Sequence, residues 1–175
     1  KRFKKDILEV QFEGKNIDDI LNMTIDDAVK HFSIHQQDKI VNKLKPLQDV
    51  GLGYVALGQS SSTLSGGEAQ RIKLASFLVK GHTKEKALFI FDEPTTGLHF
   101  HDIKKLLKSF DELIDKGHSV IVIEHNMELV KCADYIIDLG LEGGDKGGTL
   151  VVEGTPEEII KNKESYTAKY VKEKL

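Results

Sequence analysis

Two apolar runs with one strongly amphipathic stretch between them constrain this chain more than any other feature. Ala87-Leu88-Phe89-Ile90-Phe91 and Val120-Ile121-Val122-Ile123 are continuous rather than alternating. That pattern marks strands buried on both faces of a parallel sheet. Between them Ile103, Leu106, Leu107, Phe110, Leu113 and Ile114 recur at helical spacing, with Gly97 and Gly117 closing the turns on either side. Strand, helix, strand at this spacing is a βαβ unit, right-handed in nearly every known sheet. The predicted class is α/β, and 175 residues can bury one sizeable core with a smaller lobe beside it.

The residues before the first run read differently. Leu8, Val10 and Phe12 alternate with polar residues and predict a short strand ending at Gly14. Two short helices should follow, the second capped by Thr24 with Ala28, Val29 and Phe32 turned inward. A further helix from about Gln36 carries Ile40, Leu44 and Leu47, and Pro46 predicts a kink or an early end. Gly51, Gly53 and Gly58 then break the pattern. We therefore expect a mainly helical lobe over residues 1–80, with a short N-terminal strand, and half of an α/β core over residues 81–175. In that half, Asn126 can cap a short helix through Cys132. Tyr135-Ile136-Ile137 and Leu150-Val151-Val152 predict a hairpin joined by the glycine-rich loop 143–148. Thr155-Pro156-Glu157-Glu158 opens a last helix through a capping box with proline in its first turn.

Composition narrows the function less than the motifs do. Hydrophobic residues make up 39% and charged residues 30%, which is ordinary for a globular domain. A formal net charge of −3 carries no global field that would advertise nucleic acid. Lys1, Arg2, Lys4 and Lys5 form a local basic patch, read as a solvated end. Cys132 is the sole cysteine, which excludes an intrachain disulfide and a multi-cysteine zinc site. No apolar run reaches membrane-spanning length and no signal-peptide pattern appears, so the expected location is cytoplasmic and no membrane partner is expected.

The chemistry concentrates in three places. Ser65-Gly66-Gly67-Glu68 has the spacing of a capping box at the start of a helix whose Ile72, Ala75 and Leu78 recur on one side. A cap alone does not need two glycines, each worth up to ~1 kcal/mol against a helix relative to alanine. Glycines admit a close approach to first-turn N–H groups, and the positive end of the helix dipole completes a seat for phosphate. Asp92 and Glu93 follow the first buried strand, where ligands of such sheets bind. Adjacent strand residues face opposite ways, so one carboxylate can hold Mg²⁺ while the other orients and deprotonates water. His125 ends the second run, where an imidazole can reach a phosphate or the attacking water.

Leu64-Ser65-Gly66-Gly67-Glu68 followed by Gln70-Arg71 resembles the signature motif of ABC-type ATPases. The order signature, acidic strand end, strand-end histidine is also that family's. The resemblance implies Asp92 as the Mg²⁺ aspartate, Glu93 as the catalytic carboxylate and His125 as the switch histidine. It implies that Ser65, Gly66 and Gly67 cap the γ-phosphate of ATP held on a partner domain, and that Thr96, Gly97, Leu98 and His99 form a D-loop at that interface. The match narrows further. Gly51-Leu52-Gly53-Tyr54, Leu57-Gly58-Gln59, Asp92 to Phe100, Ile123-Glu124-His125-Asn126, Ile136 to Gly140 and Gly154 to Glu158 resemble the UvrA family, the damage-recognition ATPases of bacterial nucleotide excision repair. The implied partners are the upstream part of the same protein, a second protomer, UvrB and damaged double-stranded DNA.

A P-loop needs G-x-x-x-x-G-K-[ST], and no glycine here has that spacing: Gly14-Lys15 is followed by Asn16, and Glu9 stands where the first glycine belongs. The family's zinc cysteines are also missing, so no zinc is expected in this stretch. With Lys1 in place of an initiating methionine, the expectation is a C-terminal piece of a longer protein, carrying part of an ABC core without its P-loop strand. Such a piece alone should not turn over ATP. An ABC ATPase subunit of a transporter or chromosome-maintenance system, or a non-catalytic docking module, are the rival classes.

Overall fold

Asn16 and Thr24 set the register of the first helices, but what precedes them is not a strand. The computed structural model describes residues 3–79, 85–144 and 147–175. The chain divides into two compact units, Lys1–Ile123 and Glu124–Leu175. In the first unit, helix α1 (Lys5–Leu8) is a single turn and replaces the strand expected over Leu8 to Phe12. Phe12 pairs only with Lys15, across a turn in which Glu13 and Gly14 have φ of 47° and 74°. With no strand alongside among the described residues, the chain curls back and stacks the Phe12 ring on Phe32, 6.2 Å between centroids.

The next helices follow their caps. In α2 (Ile17–Asn22) the Asn16 side chain accepts from the amides of Asp18 and Asp19, and the Asp19 carboxylate accepts from the Asn16 amide. In α3 (Ile25–Ile34) Thr24 Oγ1 accepts from the Asp27 amide at 3.1 Å, and Ile25, Ala28 and Phe32 are buried. Helix α4 (Asp38–Asp49) runs through Pro46 rather than ending there. It lies against α3, and Pro46, in its last turn, removes one backbone donor without ending it. Val50, Leu52 and Val55 are buried just beyond it. Helix α5 (Gly66–Val79) then buries Arg71, Leu74 and Ala75. Lys80, the expected end of the helical lobe, lies outside the described residues.

Strand β1 (Leu88–Asp92), helix α6 (Phe100–Asp115) and strand β2 (Ser119–Ile123) form the expected βαβ unit. The strands are parallel, in register from Leu88 opposite Ser119 to Asp92 opposite Ile123. Helix α6 buries Ile103, Leu106, Phe110 and Leu113, each worth about 1.5–3 kcal/mol on removal from water. It ends where the amides of Gly117 and His118 bond back to the carbonyls of Ile114 and Leu113. Phe91 meets Phe110 at 4.8 Å and Phe89 meets Phe77 of α5 at 4.6 Å. The opposite face corrects the expectation of strands covered on both sides: Leu88, Ile90, Ile121 and Ile123 are 50–62% exposed. The runs are continuous because both faces are apolar, yet in this chain the helices cover only one.

The second unit contains α7 (Met127–Val130), β3 (Ile136–Leu139), β4 (Leu150–Gly154), α8 (Pro156–Ile159) and α9 (Tyr166–Lys172). Asn126 Oδ1 accepts from the Glu128 amide to start α7. β3 and β4 pair antiparallel, as expected of a hairpin; Asp145 and Lys146 of the connecting loop lie outside the described residues. The Glu158 carboxylate accepts from the Thr155 amide at 2.9 Å, as the capping box predicts. Helix α8 is not the last, however. Ser165 caps α9 through the Ala168 amide, and the Ser165 and Thr167 hydroxyls both donate to the Asp138 carboxylate. Val130, Ile136, Ile159 and Val171 form this unit's core.

Candidate functional site

The first turn of α5 is built as its sequence predicts. The Ser65 amide donates to a Glu68 carboxylate oxygen at 2.7 Å, and the Glu68 amide donates to Ser65 Oγ at 3.2 Å. The two glycines then differ. A Cβ at Gly66 would meet nothing within 4 Å, so this position is open to an approaching group. A Cβ at Gly67 would lie 3.2 Å from the Glu93 carbonyl oxygen and 3.2 Å from Arg71 Nη1. A side chain at Gly67 would therefore require its neighbours to give by a few tenths of an ångström, while Gly66 stands in open space.

Two side chains of α5 dock the signature helix on the carboxyl end of β1. The Gln70 carboxamide donates to the Asp92 carbonyl at 2.9 Å and accepts from the Asp92 amide at 3.1 Å. It thus satisfies β1 where a neighbouring strand otherwise would. On the other side the Glu93 amide bonds to the Ile123 carbonyl at 2.9 Å, extending the parallel ladder by one residue. Arg71 is fully buried and donates through Nη1 to the carbonyls of Pro94 and Thr96 and through Nη2 to the Tyr54 hydroxyl. Burial lowers the pKa of this guanidinium, and the Tyr54 hydroxyl partly restores it.

Asp92 and Glu93 are both exposed at the end of β1. Asp92 shares the uncovered face with Leu88 and Ile90, because side chains alternate along the strand. Glu93 sits at φ 46°, a left-handed conformation that turns the chain immediately after the strand. The turn continues through Thr96, whose amide bonds to the Glu93 carbonyl, to Gly97 at φ 77°. The Leu98 amide bonds to Thr95, and His99 stands before the first residue of α6. Ser65, Gly66, Gly67, Asp92, Glu93, Thr96, Gly97, Leu98 and His99 thus lie around one docked corner of the first unit. His125 belongs to the second unit, where its amide and that of Asn126 both donate to the Glu124 carboxylate.

The donor set decides what the corner can hold. Among the described residues no group of three or more His, Cys, Asp and Glu side chains forms a metal cluster. Mg²⁺ keeps most of its waters and needs only one or two carboxylates from the protein, and two, Asp92 and Glu93, are exposed at this corner. Motif reading gave no role to Gln70, Arg71 and Tyr54. A signal for Arg71 was present: it shares the i, i+3, i+4, i+7 spacing of Leu74, Ala75 and Leu78, which puts a cation on the buried stripe.

A parallel βαβ unit with a glycine-opened helix docked beside an acidic strand end defines the core of an ABC-type ATPase. A family profile described as ABC transporter matches residues 4–96, and the chain belongs to that family. Within it, the chain matches the C-terminal part of UvrABC system protein A. It is 58% identical over all 175 residues to that protein from Clostridium perfringens and 54% identical to the one from Aquifex aeolicus. The chain spans only 18% and 19% of those two relatives. The crystal structure of UvrA2 from Deinococcus radiodurans superposes with a TM-score of 0.81 at 42% identity, covering 99% of this chain and 21% of that one. Among the described residues no helix is long and apolar enough to cross a membrane.

Proposed function

We propose that this chain supplies two walls of a composite ATP-hydrolysing site in a UvrA-type protein, and that the P-loop floor comes from residues outside it. Ser65, Gly66 and Gly67 would cap the γ-phosphate of ATP bound to the paired module. Asp92 would hold Mg²⁺, Glu93 would take the proton of the attacking water, and His125 would sense the γ-phosphate from its place after β2. When bound, Mg²⁺ supplies charge neutralisation for the phosphoryl group in flight. Thr96, Gly97, Leu98 and His99 would face the partner module. The observation that carries this reading is that Gly66, Asp92 and Glu93 are offered to solvent while the backbone just after the two carboxylates, at Pro94 and Thr96, is pinned by buried Arg71.

In the whole protein, turnover would drive recognition of damaged double-stranded DNA by a homodimer and the loading of UvrB, in the cytoplasm. The support is identity of 54–58% to proteins of that name, over a fifth of their length or less. The purified chain should show no ATP turnover. Titrating it with a segment bearing the P-loop should restore Mg²⁺-dependent hydrolysis. Robust turnover by the chain alone, or binding of that segment without any turnover, would contradict the proposal.

A further inference from the structure

Tyr54 lies between the signature turn and the Pro94–Thr96 turn, and its ring is not there to fill a core: the residue is 46% exposed. Its hydroxyl donates to Glu68 Oε1 at 2.7 Å and accepts from Arg71 Nη2 at 3.3 Å. The other Glu68 oxygen accepts the Ser65 amide, and Arg71 Nη1 reaches the carbonyls of Pro94 and Thr96. A Cβ built at Gly97 would find the Tyr54 hydroxyl oxygen at 3.9 Å as its one neighbour within 4 Å, so the hydroxyl also overlooks the D-loop glycine. A single oxygen therefore bridges the Glu68 and Arg71 side chains, adding a side-chain link to the connection that the backbone of α5 already makes between them. Glu68 holds the phosphate-facing turn, and Arg71 holds the turn that follows the two carboxylates. The link has little slack, since Arg71 is fully buried and its Nε has no partner among the described residues. A buried cation that loses a further acceptor is costly.

We propose that Tyr54 is a positioning residue: its hydroxyl makes the signature turn and the Pro94–Thr96 turn move as one body, so that the lid offered to one nucleotide and the wall around another report to each other. This rests on the composite-site reading above. Phenylalanine at this position would keep the ring, the cap and the Arg71 bonds to Pro94 and Thr96, and would cut only the connection.

The test uses the full-length protein that contains this segment, with Tyr54→Phe, Glu68→Ala, the double variant and Glu93→Gln. Tyr54→Phe should lower kcat about tenfold, the worth of one good hydrogen bond, with KM for ATP within about twofold. Amide exchange should speed up together at Ser65 and at Leu98, and the double variant should be no slower than Glu68→Ala alone. A kcat equal to wild type, exchange that changes at only one of the two turns, or additive losses in the double variant would overturn the proposal. Failure of the parent reading looks different: Glu93→Gln would then keep full turnover, while the paired exchange at Ser65 and Leu98 would still report the Tyr54 link.

Discussion

Gln70 of the signature helix brackets the main chain of Asp92, donating to its carbonyl at 2.9 Å and accepting from its amide at 3.1 Å. One carboxamide thereby does what an edge strand does, and it does so at the residue whose carboxylate faces the proposed metal. Position along β1 and position along α5 are coupled by these two bonds. Replacing Gln70 by alanine should destabilise the chain by about 1–2 kcal/mol, two ordinary hydrogen bonds. The urea midpoint should fall with the m-value unchanged. A midpoint equal to wild type would mean that solvent satisfies Asp92 equally well.

The two signature glycines should separate fold from function. Gly66→Ala meets open space and adds helix propensity, so stability should hold or rise by up to about 1 kcal/mol. Gly67→Ala puts a methyl 3.2 Å from the Glu93 carbonyl oxygen, a backbone atom held by the turn after β1 that would have to give by a few tenths of an ångström, so the melting temperature should fall by a few degrees. Scanning calorimetry on both variants decides. Equal melting temperatures would contradict the close packing at Gly67.

Arg71→Met removes the guanidinium donors of the Pro94 and Thr96 carbonyls and leaves the Tyr54 hydroxyl with one partner fewer. A buried acceptor left unpaired costs roughly 1–3 kcal/mol, and the Pro94 carbonyl is buried while that of Thr96 is part-buried, so the variant should lose about 2 kcal/mol despite its matched bulk. Chemical denaturation checks this, and a loss below about 1 kcal/mol would show that the buried cation is dispensable.

In the second unit, Lys131 and Lys174 hold the Glu128 carboxyl down at about 2, against an ordinary value of 4.5. A depressed carboxylate stabilises the fold above the unfolded-state value and loses that contribution as pH falls through the folded one. The docking of α9 on α7 should therefore weaken between about pH 4.5 and pH 2. Glu128→Gln should flatten that part of the curve of melting temperature against pH. An unchanged curve would remove Glu128 from the acid response.

Much of this was legible in the chain itself. The βαβ unit, the caps at Thr24, Ser65, Asn126 and Thr155 and the hairpin all rest on local patterns that short-range bonds enforce, whereas the Asn16 cap was found only in the structure. What the sequence concealed depends on partners far along the chain. Alternation at Leu8, Val10 and Phe12 means a strand only if another strand lies beside it, and here the segment turns back on Phe32 instead. The continuous apolar runs signal two apolar faces without saying what covers them, and Leu88, Ile90, Ile121 and Ile123 are exposed. Helix α9 lacks a strong apolar stripe and is anchored by hydroxyls reaching Asp138. At the site, the carboxylates and glycines were marked by spacing, whereas Gln70 and Arg71 act through bonds to the main chain and Tyr54 through bonds to two side chains, none of which a motif records.

The account stands on Glu93 as the group that activates water at the end of β1, and its most direct test is Glu93→Gln in the full-length protein. Equilibrium binding of ATP should be unchanged, while steady-state hydrolysis should fall about 10²–10⁴-fold, the range for loss of a positioned general base. Hydrolysis within a few fold of wild type would contradict the account, whatever the variant's affinity for nucleotide.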